Sequence, residues 1–155
     1  MKYINIRSQR LRDYLIELRL IAGLPPLSEE QLSKKCRDYL FDPHGEWVDV
    51  FSEEHKVIGF IIIGHAPNCH PDADYYIEEA YIMPEYRRKK YMSNAVSEYL
   101  KSHKGTYCLF IISSNKPALS FWSKAFRENG YFPLELKEVL VVEPHIKQYG
   151  FTRIN

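Results

Sequence analysis

Tyr76-Ile77-Glu78-Glu79-Ala80-Tyr81-Ile82-Met83-Pro84-Glu85-Tyr86-Arg87-Arg88-Lys89-Lys90-Tyr91-Met92 carries most of what the sequence says about fold and chemistry. Its first half, from Tyr75 to Met83, reads as a strand that Pro84 stops, because proline has no N–H to give to a ladder. Four consecutive cations, Arg87 to Lys90, follow in a turn. Met92, Ala95, Val96, Tyr99 and Leu100 then recur at the spacing of an amphipathic helix. A basic turn entering a helix places cations beside unpaired N–H groups and the positive end of the helix dipole, a ready site for phosphate. The same four charges also suit a turn that does nothing but face water.

Upstream, Glu46 to Ser52 alternates in polarity and Val57 to Gly64 is a continuous apolar run, so two further strands are expected, joined by a turn at Glu53-Glu54-His55-Lys56. Leu11, Tyr14, Leu15, Leu18 and Ala22 share a helical face that Gly23 and Pro25-Pro26 end. Ser28 with Gln31 forms a capping box, and Leu27 with Leu32 a hydrophobic staple, at the start of a second helix. Lys2 to Arg7 is expected as a short first strand. Downstream come a buried strand at Tyr107–Ile112, a helix from Pro117 to Gly130, and strands at Leu134–Val142 and Tyr149–Ile154.

The order is thus β-α-α-β-β-β-α-β-α-β-β. Successive strands predict an antiparallel meander, and the later strand-helix-strand unit predicts one parallel crossover. The expected fold is mixed α/β (α+β), with a mostly antiparallel seven-stranded sheet flanked by about four helices. At 155 residues the chain is read as a single domain over 1–155.

Composition narrows the function classes. Lys+Arg 21 against Asp+Glu 20 leaves a net charge of +1, which gives no global pull toward nucleic acid or anionic membrane. The longest apolar run is far short of the roughly 20 residues that cross a bilayer. Cys36, Cys69 and Cys108 are odd in number and widely spaced, which suits reduced thiols in a cytoplasm. His65, Cys69, His70, Asp72 and Asp74 include metal-ligand types but sit in a single irregular loop, so no metal is expected. Asp72 and Asp74 are read instead as an acidic approach for a cationic substrate.

Glu78 and Glu79 lie in mid-strand among apolar neighbours. Strict alternation puts them on opposite faces, so at most one enters a given layer. Desolvation there raises a carboxyl pKa toward the range of a general base, whereas an edge position would leave both as solvated charges.

Together with Asn115-Lys116-Pro117-Ala118-Leu119-Ser120-Phe121-Trp122-Ser123-Lys124, the first segment resembles the GNAT superfamily of acetyl-CoA-dependent N-acetyltransferases. Tyr76 to Met92 is similar to that family's central strand and Arg/Gln-x-x-Gly-x-Gly/Ala pyrophosphate loop. The later segment is similar to its Asn-x-x-Ala-x-x-Phe-Tyr-x-Lys helix start. The resemblance spans nearly the whole chain and implies transfer of acetyl from acetyl-CoA, a co-substrate, to an amine acceptor of a small molecule, peptide or protein. It implies that backbone at Ile82 pairs with the pantetheine arm. Arg87, Arg88, Lys89, Lys90, Tyr91 and Met92 would wrap the pyrophosphate, Asn115 would bond the pantetheine, and Lys124 would lie near the nucleotide. Glu78, or else Glu79, would accept the ammonium proton, with Glu78 matching the family's acidic position. A homodimer is compatible with the pattern.

Lys90 and Met92 stand where the family pattern has small residues, and Trp122 stands where many members have a tyrosine acid. Lys90 can make the turn with a negative φ, while Met92 crowds the helix start. An indole N–H donates a hydrogen bond but is no usable acid, so the acid is unassigned among Tyr131, Tyr91 and solvent. The alternative reading is a GNAT-fold binding or sensor module with weakened CoA binding.

Overall fold

The structure, a computed structural model, describes residues 2–43, 45–65, 72–134 and 146–153. Its elements run α1 (Lys2–Ala22), α2 (Glu29–Leu40), β1 (Gly45–Phe51), β2 (Val57–His65), β3 (Tyr75–Ile82), α3 (Tyr91–Ser102), β4 (Tyr107–Ile112), α4 (Lys116–Glu128), β5 (Tyr131–Leu134) and β6 (Ile146–Arg153). A 3-10 turn at Pro84–Tyr86 links β3 to the basic segment. Six strands form one sheet in the order β1-β2-β3-β4-β6-β5. Among the described residues only β3 and β4 pair in parallel, across the α3 crossover; the other described pairs are antiparallel.

The expected strand at Lys2–Arg7 is instead the first two turns of α1, so the sheet has six described strands rather than seven. The apolar alternation of Tyr3, Ile4 and Ile6 misleads because the residue that ties this turn to the sheet is charged. Arg7, Leu11 and Leu15 follow at helical spacing on one face. Leu11 and Leu15 are buried, and Arg7 grips Asp49 of β1 with both ends of its fork, Nε to Oδ1 at 3.0 Å and Nη2 to Oδ2 at 2.7 Å. The expected strand at Leu134–Val142 lies almost wholly outside the described residues. The strand found in that region starts earlier, at Tyr131, directly after the left-handed turn at Gly130 (φ +81°). Pro133 is tolerated in it because β5 is an edge strand.

Two cores hold the sheet. On one face Ile61, Ile63, Ile77 and Leu109 pack against Val96 and Leu100 of α3 and Trp122 and Phe126 of α4. On the other, Phe60, Ile62 and Tyr81 pack against Leu11 and Leu15 of α1 and Leu32 and Cys36 of α2. The capping box forms as expected: Gln31 N donates to Ser28 Oγ at 3.1 Å, and Ser28 N donates to Gln31 Oε1 at 2.9 Å. No helix among the described residues is long and apolar enough to cross a membrane.

Candidate active site

β3 and β4 are registered at three pairs only, Tyr75–Tyr107, Tyr76–Cys108 and Ile77–Leu109. Beyond the last pair β3 runs on to Ile82 and β4 to Ile112 without pairing with each other. A wedge therefore opens in the middle of the sheet, with its apex at Ile77 and Leu109. Met83 N–H donates to Ile58 O on β2 at 2.9 Å, and the register sets Ile82 opposite Gly59. By antiparallel alternation the backbone groups of Ala80 and Ile82 then point the other way, into the wedge. An extended chain entering there can add itself as a strand, as the resemblance implies for Ile82.

At the apex the sequence expectation of opposite faces fails. Glu79 is opposite Ile62 and Ile77 is opposite Ile63, so Glu78 is an extra residue in the β2–β3 ladder, a bulge. In a regular strand Ile77 and Glu79 would share a face. Here Ile77 packs in the α3/α4 core, while Glu79 Oε1 accepts a hydrogen bond from the Tyr39 hydroxyl of α2 at 3.2 Å. Glu78 points to that same side. Gly64 faces α1 and α2 by alternation from Ile63, and a Cβ built on it would lie 3.1 Å from Glu78 Oε1. Both carboxylates therefore share the α1/α2 face.

Their environments differ. Burial pushes the Glu79 carboxyl up from 4.5 to about 7, with the hydroxyls of Tyr14 and Tyr39 pulling the other way. Its Oε2 is sealed from solvent with no hydrogen-bond partner among the described residues. Burial also raises the half-buried Glu78, with the charge of Asp42 adding to it. Tyr39 and Tyr76 are held protonated, first by burial and then by the Glu79 charge.

The basic turn differs in detail from what the sequence implies. Arg87 folds back on the strand: its Nε donates to Ile82 O at 3.0 Å, its Nη2 meets Glu17 of α1 at 2.6 Å, and its guanidinium lies over the Tyr81 ring. It thus holds the backbone acceptor that the resemblance assigns to the pantetheine. Arg88, Lys89 and Lys90 are exposed, and none forms an ion pair among the described residues. Their charges stand at the start of α3, where no side chain caps the helix. Tyr91 is half-buried with its ring against Tyr86, and Met92 does not crowd the turn because it is buried in the α3/α4 core.

Lys90 does not take the negative φ expected of it. It sits in the left-handed region at φ 69°, as Arg88 does at φ 63°. A Cβ there costs about 1–2 kcal/mol, against about 0.4–1 kcal/mol of unfolded-state entropy that a glycine adds. Lys90→Gly is therefore expected to stabilise the fold by roughly 0.5–1 kcal/mol in urea unfolding. A destabilisation would show that the lysine stem makes compensating contacts.

Asn115 caps α4, its Oδ1 accepting from Ala118 N at 3.2 Å, which leaves the amide nitrogen as the group able to reach a ligand. Lys124 is exposed on α4 and lies 3.9 Å from Glu128. Trp122 is buried among Phe121 and Phe126 and supplies no acid. Tyr131 is displaced from the wedge: it lies on β5 beyond β6, beside Tyr107 at the end where β3 and β4 are still paired. Asp74 also lies at that closed end, its Oδ2 accepting from Thr106 N at 2.8 Å, so it forms no acidic approach to the wedge. Cys69 and His70 fall outside the described residues; among those described no group of three or more His, Cys, Asp or Glu is placed to hold a metal ion. The sequence reading placed Tyr14 on a helical face and gave no functional role to Tyr39 or Glu17. A Glu-Glu pair that must pack against a glycine on the next strand was the available signal for the bulge.

The sequence matches the acetyltransferase (GNAT) family over residues 10–126. No curated protein matches it. Solved structures share the fold at low identity. An acetyltransferase from Thermus thermophilus is 12% identical, with 92% of this chain and 88% of that one covered and a TM-score of 0.65. A structure described as histone acetyltransferase HPA2 and related acetyltransferase, from Corynebacterium glutamicum, is 10% identical, with 98% and 92% covered and a TM-score of 0.69. A spermidine N-acetyltransferase from Vibrio cholerae, in complex with CoA and spermine, is 14% identical, with 93% and 87% covered and a TM-score of 0.59. With the family matched over most of its length, and with a wedge-split sheet opening onto a basic helix start, the chain belongs to the GNAT family of acetyltransferases.

Proposed function

We propose that the protein transfers acetyl from acetyl-CoA to a primary amine, with Glu79 as the general base. The observation that carries this is the pair of carboxylates at the apex of the wedge, beside a β3 edge that pairs with no described strand beyond Ile77. The wedge edge at Ala80 and Ile82 suits an extended pantetheine, and the α3 start with Arg88, Lys89 and Lys90 suits a pyrophosphate. The resemblance favours Glu78 as base. The geometry favours Glu79, because its buried Oε2 lacks a partner and its pKa of about 7 matches proton abstraction near neutrality.

Glu79 takes a proton from the ammonium, and the freed lone pair attacks the thioester carbonyl carbon. A C–N bond forms as the C–S bond breaks, and the sulfur leaves with the electron pair. The nitrogen, cationic after the attack, sheds a second proton, which reaches the thiolate by way of solvent, and the proton on Glu79 returns to solvent, so the balance is amide, free thiol and one proton. Backbone N–H groups on the open edge of β3 stand where they can polarise the carbonyl. Release of CoA in a screen of amines tests the reaction; a complete absence of turnover across amine classes would leave the binding-module reading.

Replacing Arg88 and Lys89 together by Ala should weaken acetyl-CoA binding about tenfold or more, since each charge-assisted contact to phosphate is worth roughly 1.5–3 kcal/mol. Stability should move by less than about 0.5 kcal/mol, because both side chains are exposed. Unchanged affinity in calorimetry would sink the assignment of this turn to the pyrophosphate. Arg87→Ala is expected to behave differently, as it also frees Ile82 O.

A further inference from the structure

Two contacts tie the last turns of α1 to the two lips of the wedge. On the β3 side, Glu17 Oε2 meets Arg87 Nη2 at 2.6 Å. On the β4 side, Ser114, just past the end of β4, donates through Oγ to Ile21 O at 3.4 Å. Glu17 and Ile21 are one turn apart on α1, so the helix lies across the open end of the wedge. Arg87 is the member of this strap that reaches the edge itself. Its Nε donates to Ile82 O at 3.0 Å, and its guanidinium lies 5.7 Å from the centre of the Tyr81 ring. Ile82 O is turned into the wedge, so an extended chain entering there meets an acceptor that is already taken.

We infer that Arg87 and Glu17 form a latch on the open edge of β3, which acetyl-CoA releases by drawing the guanidinium away from Ile82 O and Glu17 to its pyrophosphate. The inference rests on the acetyl-CoA reading above. Both side chains keep access to water, 40% for Arg87 and 31% for Glu17, so the pair is weak and can part without stranding a buried charge. Arg87 also begins the basic turn that leads into α3, so a swing of its side chain exchanges one position for the other. A guanidinium fork gains more from a pyrophosphate, with charge on both phosphates, than from one carboxylate and a neutral carbonyl. The exchange frees Ile82 O to accept from an amide N–H of the pantetheine arm and lets α1 go from the β3 lip. Glu17 is thus a positioning residue, acting on the ligand only through Arg87.

The test is a double-mutant cycle on the full chain, read by titration with two ligands: acetyl-CoA, and S-acetylpantetheine, which has no phosphate. Arg87→Ala is expected to weaken acetyl-CoA about tenfold, through loss of a phosphate contact, yet to tighten S-acetylpantetheine about twofold or more, because Ile82 O is freed. Glu17→Gln is expected to tighten both ligands about two- to fivefold, the size of a partly exposed ion pair, and to add nothing once Arg87 is Ala. A tightening seen with acetyl-CoA alone, and persisting without Arg87, would reflect only a negative charge removed near a polyanion and would overturn the latch. Weaker S-acetylpantetheine binding in Arg87→Ala would overturn it too, since the arginine would then support the edge rather than close it. Affinities unchanged across the cycle, beside CoA release from an amine, would refute the latch and uphold the transfer. Shifts of the expected signs without CoA release from any amine would uphold the latch and refute the transfer. Failure of every variant to bind either ligand would overturn both.

Discussion

Glu79→Gln lowers turnover by about 10²–10⁴, the usual contribution of a positioned general base, while acetyl-CoA affinity is retained. Gln keeps the size of the side chain and an oxygen to accept from Tyr39, so the change removes a proton acceptor with little else. Wild-type kcat/KM should rise with pH through about 7 as Glu79 gives up its proton, and the rise should vanish in the variant. The groups that face this carboxyl are Tyr14 from α1, Tyr39 and Lys35 from α2 and Glu78 from its own strand. Tyr76 and Tyr39, both held protonated, stay neutral across that range, so the inflection belongs to the carboxylate pair. If Glu78→Gln removes the inflection and Glu79→Gln does not, the base is the bulged residue, as the family pattern suggests.

Stability gives an independent check of the same group. A carboxyl whose folded pKa is raised favours folding when protonated. Its contribution is fully present below 4.5 and is lost as pH rises through about 7, an effect on the order of 3 kcal/mol. Glu79→Gln should therefore flatten the fall in stability between those values and be the more stable protein at pH 8. A variant that is inactive but has an unaltered stability profile would mean that Glu79 is ionised at neutral pH in the folded protein.

Much of this architecture is legible in residue spacing. The helical stripes of α2, α3 and α4 and the apolar run of β2 each have one period, and each lands where that period puts it. Lys2 to Arg7 misled because its anchoring contact is an ion pair to Asp49, which no hydrophobic pattern records. The bulge at Glu78 was hidden for a different reason: a register shift is a relation between two strands, and the alternation rule sees only one. The same holds for Arg87, whose tie to Glu17 spans α1 and the end of β3. Lys90 shows the limit of reading a loop by composition, since its backbone keeps the left-handed turn that glycine would favour although the side chain has changed. The basic turn could be placed from sequence; the division of its cations between strand edge and helix start could not.

Phe126→Ala should cost about 3–5 kcal/mol, the range for removing a large aromatic from a closed core. Phe126 is fully buried, with its ring stacked on Phe151 of β6 at 4.3 Å and 6°. It also meets Tyr131 of β5 at 5.3 Å and Tyr107 of β4 at 5.6 Å, so one side chain pins α4 to three strands. The neighbours are rings and cannot easily collapse into the space, which argues for the upper part of the range. Since domains are stable by only about 5–15 kcal/mol, urea unfolding should shift to much lower midpoints with its slope kept. Phe126→Leu, which keeps most of the volume, should cost far less. The effect also reaches the site, because α4 begins at the Asn115 cap and Asn115 N donates to Ile112 O at the end of β4, the far lip of the wedge. Acetyl-CoA at 100 times its Kd should restore about 2.7 kcal/mol if it binds the folded protein alone. A loss below about 1 kcal/mol would show that α4 is not held by this stack, and a loss that acetyl-CoA leaves untouched would separate the ligand from the folded state altogether.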